Sequence, residues 1–196
     1  AEIIGKCGES SFYAKEKMYY KTGVVYVTVN EPKLWQPKNY GEPNLYDVTV
    51  NLISGGMILC SKSISFGIRT AELIHTETTD GKNGAFEFRI NGNDIMCMGT
   101  NWVPLDAFHC RDRERLAKAL ELLDNSNSNI IRCWGGNVYE CDEFYDFCDA
   151  HGIMVWQDFA MACNAYPQNE KMYKSIFDEA SSVVKRLRHH ASLVLW

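Results

Sequence analysis

Three side chains stand at the ends of apolar runs, where polar chemistry is least expected. Arg132 follows Ile130-Ile131, a pair suited to a buried strand. A guanidinium there costs several kcal/mol unless carboxylates pair with it. Two readings fit: it holds a catalytic carboxylate ionised and oriented, or it closes a structural salt bridge beneath the loops. Asp158 ends the run Ile153-Met154-Val155-Trp156, so its carboxylate should emerge at a strand end. An ionised carboxylate accepts two or more hydroxyl hydrogen bonds, as neighbouring sugar hydroxyls would offer, although a loop or capping role is the plainer alternative. Trp134 precedes Gly135-Gly136, a backbone that bends freely and approaches a ligand closely. An indole face suits the C–H face of a sugar ring. Trp102 and Trp156 can act similarly, although a lone tryptophan is more often core, and Trp156, within its apolar run, reads as core. Asn101 and Asp106 share the ambiguity of Asp158. His109, His151, His189 and His190 show no metal-ligand spacing and read as surface or capping residues.

The elements that position these residues change character along the chain. From Tyr26 to about Glu77 the pattern is β, with runs at 25–29, 46–52 and 64–68 separated by Pro, Gly and Asn turns. These runs suit part of an antiparallel sandwich, about 75 residues being short for a whole one. Thr78 to Gly84 is polar and aperiodic, and divides the chain into 1–77 and 78–196. Asn91-Gly92, between Phe86–Ile90 and Ile95–Met98, predicts a tight hairpin because both residues accept positive φ. Helical faces then follow: Leu116, Ala119, Leu120 and Leu123; Phe144, Phe147 and Cys148; Ile176, Ala180, Val183, Val184 and Leu187. Buried strands starting near 95, 130, 153 and 192 alternate with these helices, so parallel strands joined by helical crossovers are expected. Polar and aromatic residues at successive strand ends fit a (β/α)8 barrel. Four strands are half of one, which leaves open edges and an uncovered interior, so the chain reads as a fragment.

Composition narrows the partners. The chain has 196 residues, 46% hydrophobic, with a formal net charge of −5 and no basic block, which favours neither nucleic acid nor an anionic membrane. No apolar run approaches the roughly 18 to 20 residues that span a bilayer. The eight cysteines show no C-x-x-C and no paired Cys/His spacing, so free thiols are expected and no metal. Free thiols suit a reducing compartment such as the cytoplasm; a periplasmic or lysosomal place stays open.

Taken together, the motifs resemble a known family. Gly99-Thr100-Asn101-Trp102-Val103-Pro104, Arg132-Cys133-Trp134-Gly135-Gly136 with Tyr139-Glu140, Phe144–Asp149 with His151-Gly152-Ile153, and Val155-Trp156-Gln157-Asp158-Phe159 with Cys163 and Tyr166-Pro167 resemble glycoside hydrolase family 2. Within it the similarity is to the β-mannosidase branch, since galactosidase and glucuronidase relatives usually carry a histidine near the Trp-Gly-Gly. The exo-β-glucosaminidase branch tends to differ around the positions of Trp134 and Asp158. Pro32–Pro37, Gly41–Tyr46 and Phe66–Arg69 resemble the end of the immunoglobulin-like sandwich that precedes the barrel in that family. Ala191 departs from it, standing where relatives often have proline.

This resemblance implies a partial immunoglobulin-like β-sandwich followed by the N-terminal half of a TIM barrel. It implies a retaining, exo-acting hydrolase that removes terminal β-mannose without a cofactor, using two glutamates whose carboxyls lie about 5 to 5.5 Å apart. The acid/base glutamate is expected in an Asn-Glu pair shortly after the strand ending in Leu195-Trp196, and the nucleophile much later. Neither belongs to these residues, so the chain alone is expected to be inactive and to need the remainder of its barrel. By the same resemblance Arg132 supports the nucleophile, Trp134 and Gly135 shape the mannose subsite, and Asp158 binds sugar hydroxyls. Asn101, Trp102 and Asp106 belong to the rim. Other family 2 specificities, exo-β-glucosaminidase among them, and a non-catalytic carbohydrate-binding relative are the alternatives.

Overall fold

The computed structural model describes residues 1–76 and 84–196. Thr78–Asn83, most of the expected boundary, therefore lies outside the described residues. The N-terminal sheet is antiparallel in the order β2-β1-β3-β4, formed by β1 (Glu2–Cys7), β2 (Ser10–Lys15), β3 (Tyr46–Ser54) and β4 (Met57–Phe66). The β3–β4 turn falls on Gly55-Gly56, both at positive φ (57° and 82°), which suits the twist of a tight hairpin. The β1–β2 hairpin has no counterpart in the strands expected from sequence. Conversely, residues 25–29 form no strand. Val27 and Val29 face the sheet beside Ile3, Phe12, Val48 and Val50, so their alternation records burial without a hydrogen-bonded partner.

Next come β5 (Ala71–His75), β6 (Phe86–Ile90) and β7 (Asn93–Ile95), a small antiparallel sheet. The expected turn is present, with Asn91 at φ 51° and Gly92 at φ 82°. The following strand begins later than expected, because Met96–Met98 find side-chain partners in place of a ladder. Asn129 donates from Nδ2 to Met96 O and accepts from Met98 N, and Tyr40 Oη accepts from Met96 N. The first parallel strand, β8, spans Gly99–Trp102. A Cβ on Gly99 would lie 1.8 Å from the Ile130 carbonyl oxygen, so only glycine admits this approach of β8 to its neighbour.

The C-terminal part alternates helices and strands: α1 (Asp112–Asn125), β9 (Ile130–Cys133), α2 (Asp142–His151), β10 (Met154–Gln157), α3 (Glu170–Leu187) and β11 (Leu193–Leu195). The strands are parallel in the order β8-β9-β10-β11, half of a barrel. Apolar faces follow the expected period. Leu116, Leu120 and Leu123 of α1, Phe144, Tyr145 and Cys148 of α2, and Val183 and Leu187 of α3 cover the outer face of the strands. On the inner face, Ile130 and Met154 pack against Phe88, Ile90 and Ile95 of the small sheet, which closes the bottom of the half barrel. No described helix is long and apolar enough to cross a membrane.

Trp35 joins the two parts. Fully buried, it donates from Nε1 to the Asp149 carbonyl at 2.7 Å. Arg69 donates to the carbonyls of Ala191 (3.0 Å) and Leu193 (2.5 Å), and Lys38 N donates to Gly152 O (2.7 Å). Gly152 ends α2 at φ 69°, and a Cβ there would lie 2.7 Å from Lys38 N, so this glycine serves both the cap and the contact. The surface or capping reading of His190 is corrected by the structure. His190 is 3% exposed, with Nδ1 2.7 Å from Asp149 Oδ2, while Asp149 Oδ1 accepts from Ser192 N. Its partner Asp149 stands 41 residues away on α2, so no local sequence signal marks the pair.

Candidate active site

Strand alternation decides which side chains can share a site. Asn101, Arg132 and Trp156 are register partners on β8, β9 and β10 and face the barrel interior. Their neighbours Trp102, Cys133 and Gln157 face the helices. Arg132, part-buried, is held from three directions. Its Nε and Nη2 donate to the two Asp158 oxygens at 3.2 and 2.5 Å, a bidentate pair, and Nη1 reaches Asn101 Oδ1 at 3.4 Å. Beneath it lies the Trp156 ring, 5.4 Å from the guanidinium carbon, a cation–π contact. Trp156 also meets Phe86 at 5.8 Å between centroids. Half-buried, it packs against the small-sheet core, as the sequence suggested, and also lines the cavity wall.

The two strand-end loops interlock at Asp158. Its backbone N donates to Cys133 O (3.0 Å), and its Oδ2 also accepts from Gly135 N (3.2 Å). A Cβ on Gly135 would lie 2.5 Å from Phe159 O, so glycine here permits close approach of the loops. The Trp134 ring lies over Gly136, whose Cβ would meet ring atoms within 2.4 Å. Trp134 as a whole is half-buried. Trp196 extends this rim, stacked on Phe159 at 5.4 Å with 14° between the planes.

Two expected rim residues stand apart. Trp102 is buried among the helices, its ring 5.0 Å from Phe144, and Nε1 donates to Glu140 Oε1 at 2.8 Å. It reaches the mouth through its backbone, Trp102 O accepting from Trp134 N (3.2 Å). Asp106 pairs with Arg115 at 2.8 Å and caps its own turn by accepting from Phe108 N. Both are tied to structure, while Asn101, Arg132, Gly135 and Asp158 come together and Trp134 adjoins them.

A layer of supporting residues escaped sequence reasoning. Tyr145 Oη donates to Gln157 Oε1 (2.7 Å), and Gln157 Nε2 donates to Asp158 O (2.8 Å), which steadies Asp158 from the helix side. Glu140 is buried, and that burial pushes its carboxyl above the usual range, although the Trp102 N–H opposes the shift. Burial likewise pushes the Cys133 and Cys148 thiols up, which makes them inert packing groups. The sequence signal for Glu140, Tyr145 and Gln157 was membership of the motifs Tyr139-Glu140, Phe144–Asp149 and Val155–Phe159, with no role assigned to any of the three.

The interior cavity, about 530 Å3, is within the ordinary range of small-molecule pockets. Arg132, Asn101, Thr100 and Trp156 line it, and no carboxylate does among the described residues. Such a surface offers hydrogen-bonding groups and an aromatic wall; it does not supply two carboxyls for acid/base work. Asp146, Asp149 and His190 place ligand atoms within 4.8 Å of one another at the opposite end of the strands. There, Asp149 already pairs with His190 and accepts from Ser192 N, which reads as a structural cluster.

Comparison with known proteins agrees with this architecture. Residues 5–69 match the model of "Glycosyl hydrolases family 2", and residues 82–196 match "Glycosyl hydrolases family 2, TIM barrel domain". Beta-mannosidase B of Aspergillus fumigatus is 44% identical over 169 residues, 86% of this chain and 20% of that protein. The chain thus spans about a fifth of the length of the curated relatives it matches. The crystal structure of a β-D-mannosidase from Dictyoglomus thermophilum superposes with a TM-score of 0.86 at 37% identity, over 100% of this chain and 25% of that one. The exo-chitosanase CsxA of Amycolatopsis orientalis shares the fold, with a TM-score of 0.72 at 20% identity over 98% of this chain and 23% of that one. With a sandwich sheet, the opening strands of a barrel and both family models in order, this chain belongs to glycosyl hydrolase family 2.

Proposed function

We propose that the full-length protein containing this chain is a retaining, exo-acting β-mannosidase, and that this chain supplies part of its sugar-binding mouth. In that division, residues 1–77 belong to the sandwich and 78–196 open the catalytic barrel. The observation that carries the reading is the bidentate Arg132–Asp158 pair at the strand ends, with Asp158 also holding Gly135 beside Trp134. Two proteins named as β-mannosidases, at 44% and 37% identity, support the mannoside as substrate.

In this reading Asp158 accepts hydrogen bonds from sugar hydroxyls while Arg132 holds its carboxylate in place. Trp134 presents its face to the ring, and Gly135 keeps the backbone close. Arg132 and Asn101 project toward the barrel axis, where Arg132 orients the nucleophilic glutamate. Trp102 and Asp106 support the rim from beneath. Both catalytic glutamates come from parts of the protein outside this chain. Their reaction is double displacement, through a covalent glycosyl-enzyme that water then hydrolyses with retention.

The test is the full-length protein against 4-nitrophenyl β-mannoside, β-glucosaminide, β-galactoside and β-glucuronide, with the first-formed anomer followed by NMR. Turnover of the mannoside with β-mannose appearing first supports the proposal. Preference for the glucosaminide moves the protein to the other branch, and binding without turnover makes it a carbohydrate-binding relative. The isolated chain is expected to release no 4-nitrophenol.

A further inference from the structure

We infer that Tyr139 is a positioning residue, whose phenol latches the loop carrying Trp134 and Gly135 to the loop carrying Asp158 and so sets the width of the sugar-binding mouth. Its kinetic consequence rests on the β-mannosidase reading; the latch itself does not.

Tyr139 lies in the segment after β9, three residues before α2, and its ring packs on the helix-covered core. Tyr139 Oη accepts from Ala160 N at 2.9 Å and donates to Glu179 Oε1 at 2.9 Å. One hydroxyl therefore joins three elements: the loop after β9, the loop after β10 and helix α3. Burial first, with Glu179 beside it, pushes this hydroxyl up to about 12, which keeps the proton it donates at any working pH.

The loop it holds needs an external tie. Residues 158–169 contain no helix or strand, and Cys163 sits at φ 54°. Irregular loops of this length in compact domains are commonly functional. At the strand end the two loops are joined by Asp158 N to Cys133 O and by Gly135 N to Asp158 Oδ2. Both of these ties end at Asp158, the second through the carboxylate proposed to bind sugar, so neither holds the loop beyond its first residue. The tie through Tyr139 falls two residues further on, just after Phe159, whose carbonyl meets Gly135 and whose ring stacks on Trp196. A displacement at Ala160 would therefore pass to the Gly135 contact and the aromatic rim together.

Tyr139→Phe in the full-length protein keeps the ring and removes the hydroxyl. Two readouts separate a latch from simple packing. Hydrogen exchange in peptides covering 158–161 and 134–138 is expected to speed up by about tenfold, while peptides from α1 stay unchanged. KM for 4-nitrophenyl β-mannoside is expected to rise roughly threefold to tenfold with kcat nearly constant, the change that one hydrogen bond commonly carries. Glu179→Gln, which keeps an acceptor for the hydroxyl, should leave KM within about twofold of wild type. Unchanged exchange in both loops overturns the latch, whatever the activity. Faster exchange with an unchanged KM, or a lower melting temperature as the sole effect, overturns the positioning role. A wild type that turns over no β-mannoside refutes the functional reading, and exchange alone then decides the latch.

Discussion

Replacing Gly135 by alanine tests whether the mouth depends on close approach of two backbones. The added Cβ would lie 2.5 Å from the Phe159 carbonyl oxygen and 3.3 Å from Asp158 Cβ. Ordinary contact begins near 3.4 Å, so the loops must part by about 0.9 Å. The nearest obstacle is backbone, so no side-chain rotation relieves it. The Gly135 N to Asp158 Oδ2 bond, already 3.2 Å, would then stretch past hydrogen-bonding distance. A misplacement of this size in a positioning group can cost on the order of 10²-fold in rate. Overpacking of this kind also destabilises by about 1–3 kcal/mol. Gly136→Ala is the comparison, because its Cβ meets the outer ring atoms of Trp134, a side chain that can swing. We expect Gly135→Ala to lower both kcat/KM and melting temperature in the full-length protein, and Gly136→Ala chiefly to raise KM. A Gly135→Ala protein within about twofold of wild type in kcat/KM and equal in melting temperature would refute the steric argument, since it would then behave as a neutral surface change.

Asp158→Asn keeps the volume but leaves the part-buried Arg132 without its counter-ion. It should destabilise by about 1–3 kcal/mol, between the surface and buried limits for ion pairs, and reduce kcat/KM by at least about 10²-fold. Melting curves and steady-state kinetics check both. Glu140 has its carboxyl pushed up by burial, so the folded state binds this proton more tightly than the unfolded chain. Its ionisation therefore lowers stability as pH rises from the ordinary carboxylate range, near 4.5, to the raised folded value, and the loss persists above that. Glu140→Gln retains the acceptor for Trp102 and should melt no lower than wild type at pH 7; a clear fall would show that the ionised form is the stabilising one. Trp35→Ala empties a fully buried site at the junction of the two parts and orphans the Asp149 carbonyl. A loss of about 3–5 kcal/mol is expected, read as a lower melting temperature; an unchanged value would mean that the junction does not rely on this ring.

Much of this fold is legible because period and burial coincide. The stripes of α1 and α2 and the C-terminal part of the α3 stripe, Val183 and Leu187, fall on the observed core, and three of the four parallel strands begin within a residue or so of their expected starts. Arg132 and Asp158 stand out because charge at the end of an apolar run needs a reason, and each is the other's reason. Where reading failed, the deciding contact lies far away in sequence. Met96–Met98 look like a strand, but Asn129 and Tyr40 take their backbone groups. Val25–Val29 alternate correctly without a strand partner. The side on which Trp102 lies could not be read, because strands buried on both faces lack the alternation that separates inside from outside. His190 resembles a surface residue until Asp149 is brought beside it.

The proposed function has Asp158 hold a mannose ring at the mouth of a family 2 barrel. Its most direct test is kcat/KM of the full-length protein for 4-nitrophenyl β-D-mannoside against the β-D-glucosaminide, for wild type and Asp158→Ala. We predict a preference for the mannoside of at least about 10²-fold that collapses in the variant, as expected where a site built to pair hydroxyls loses its acceptor. A wild type that prefers the glucosaminide, or a variant as selective and active as wild type, would contradict the claim.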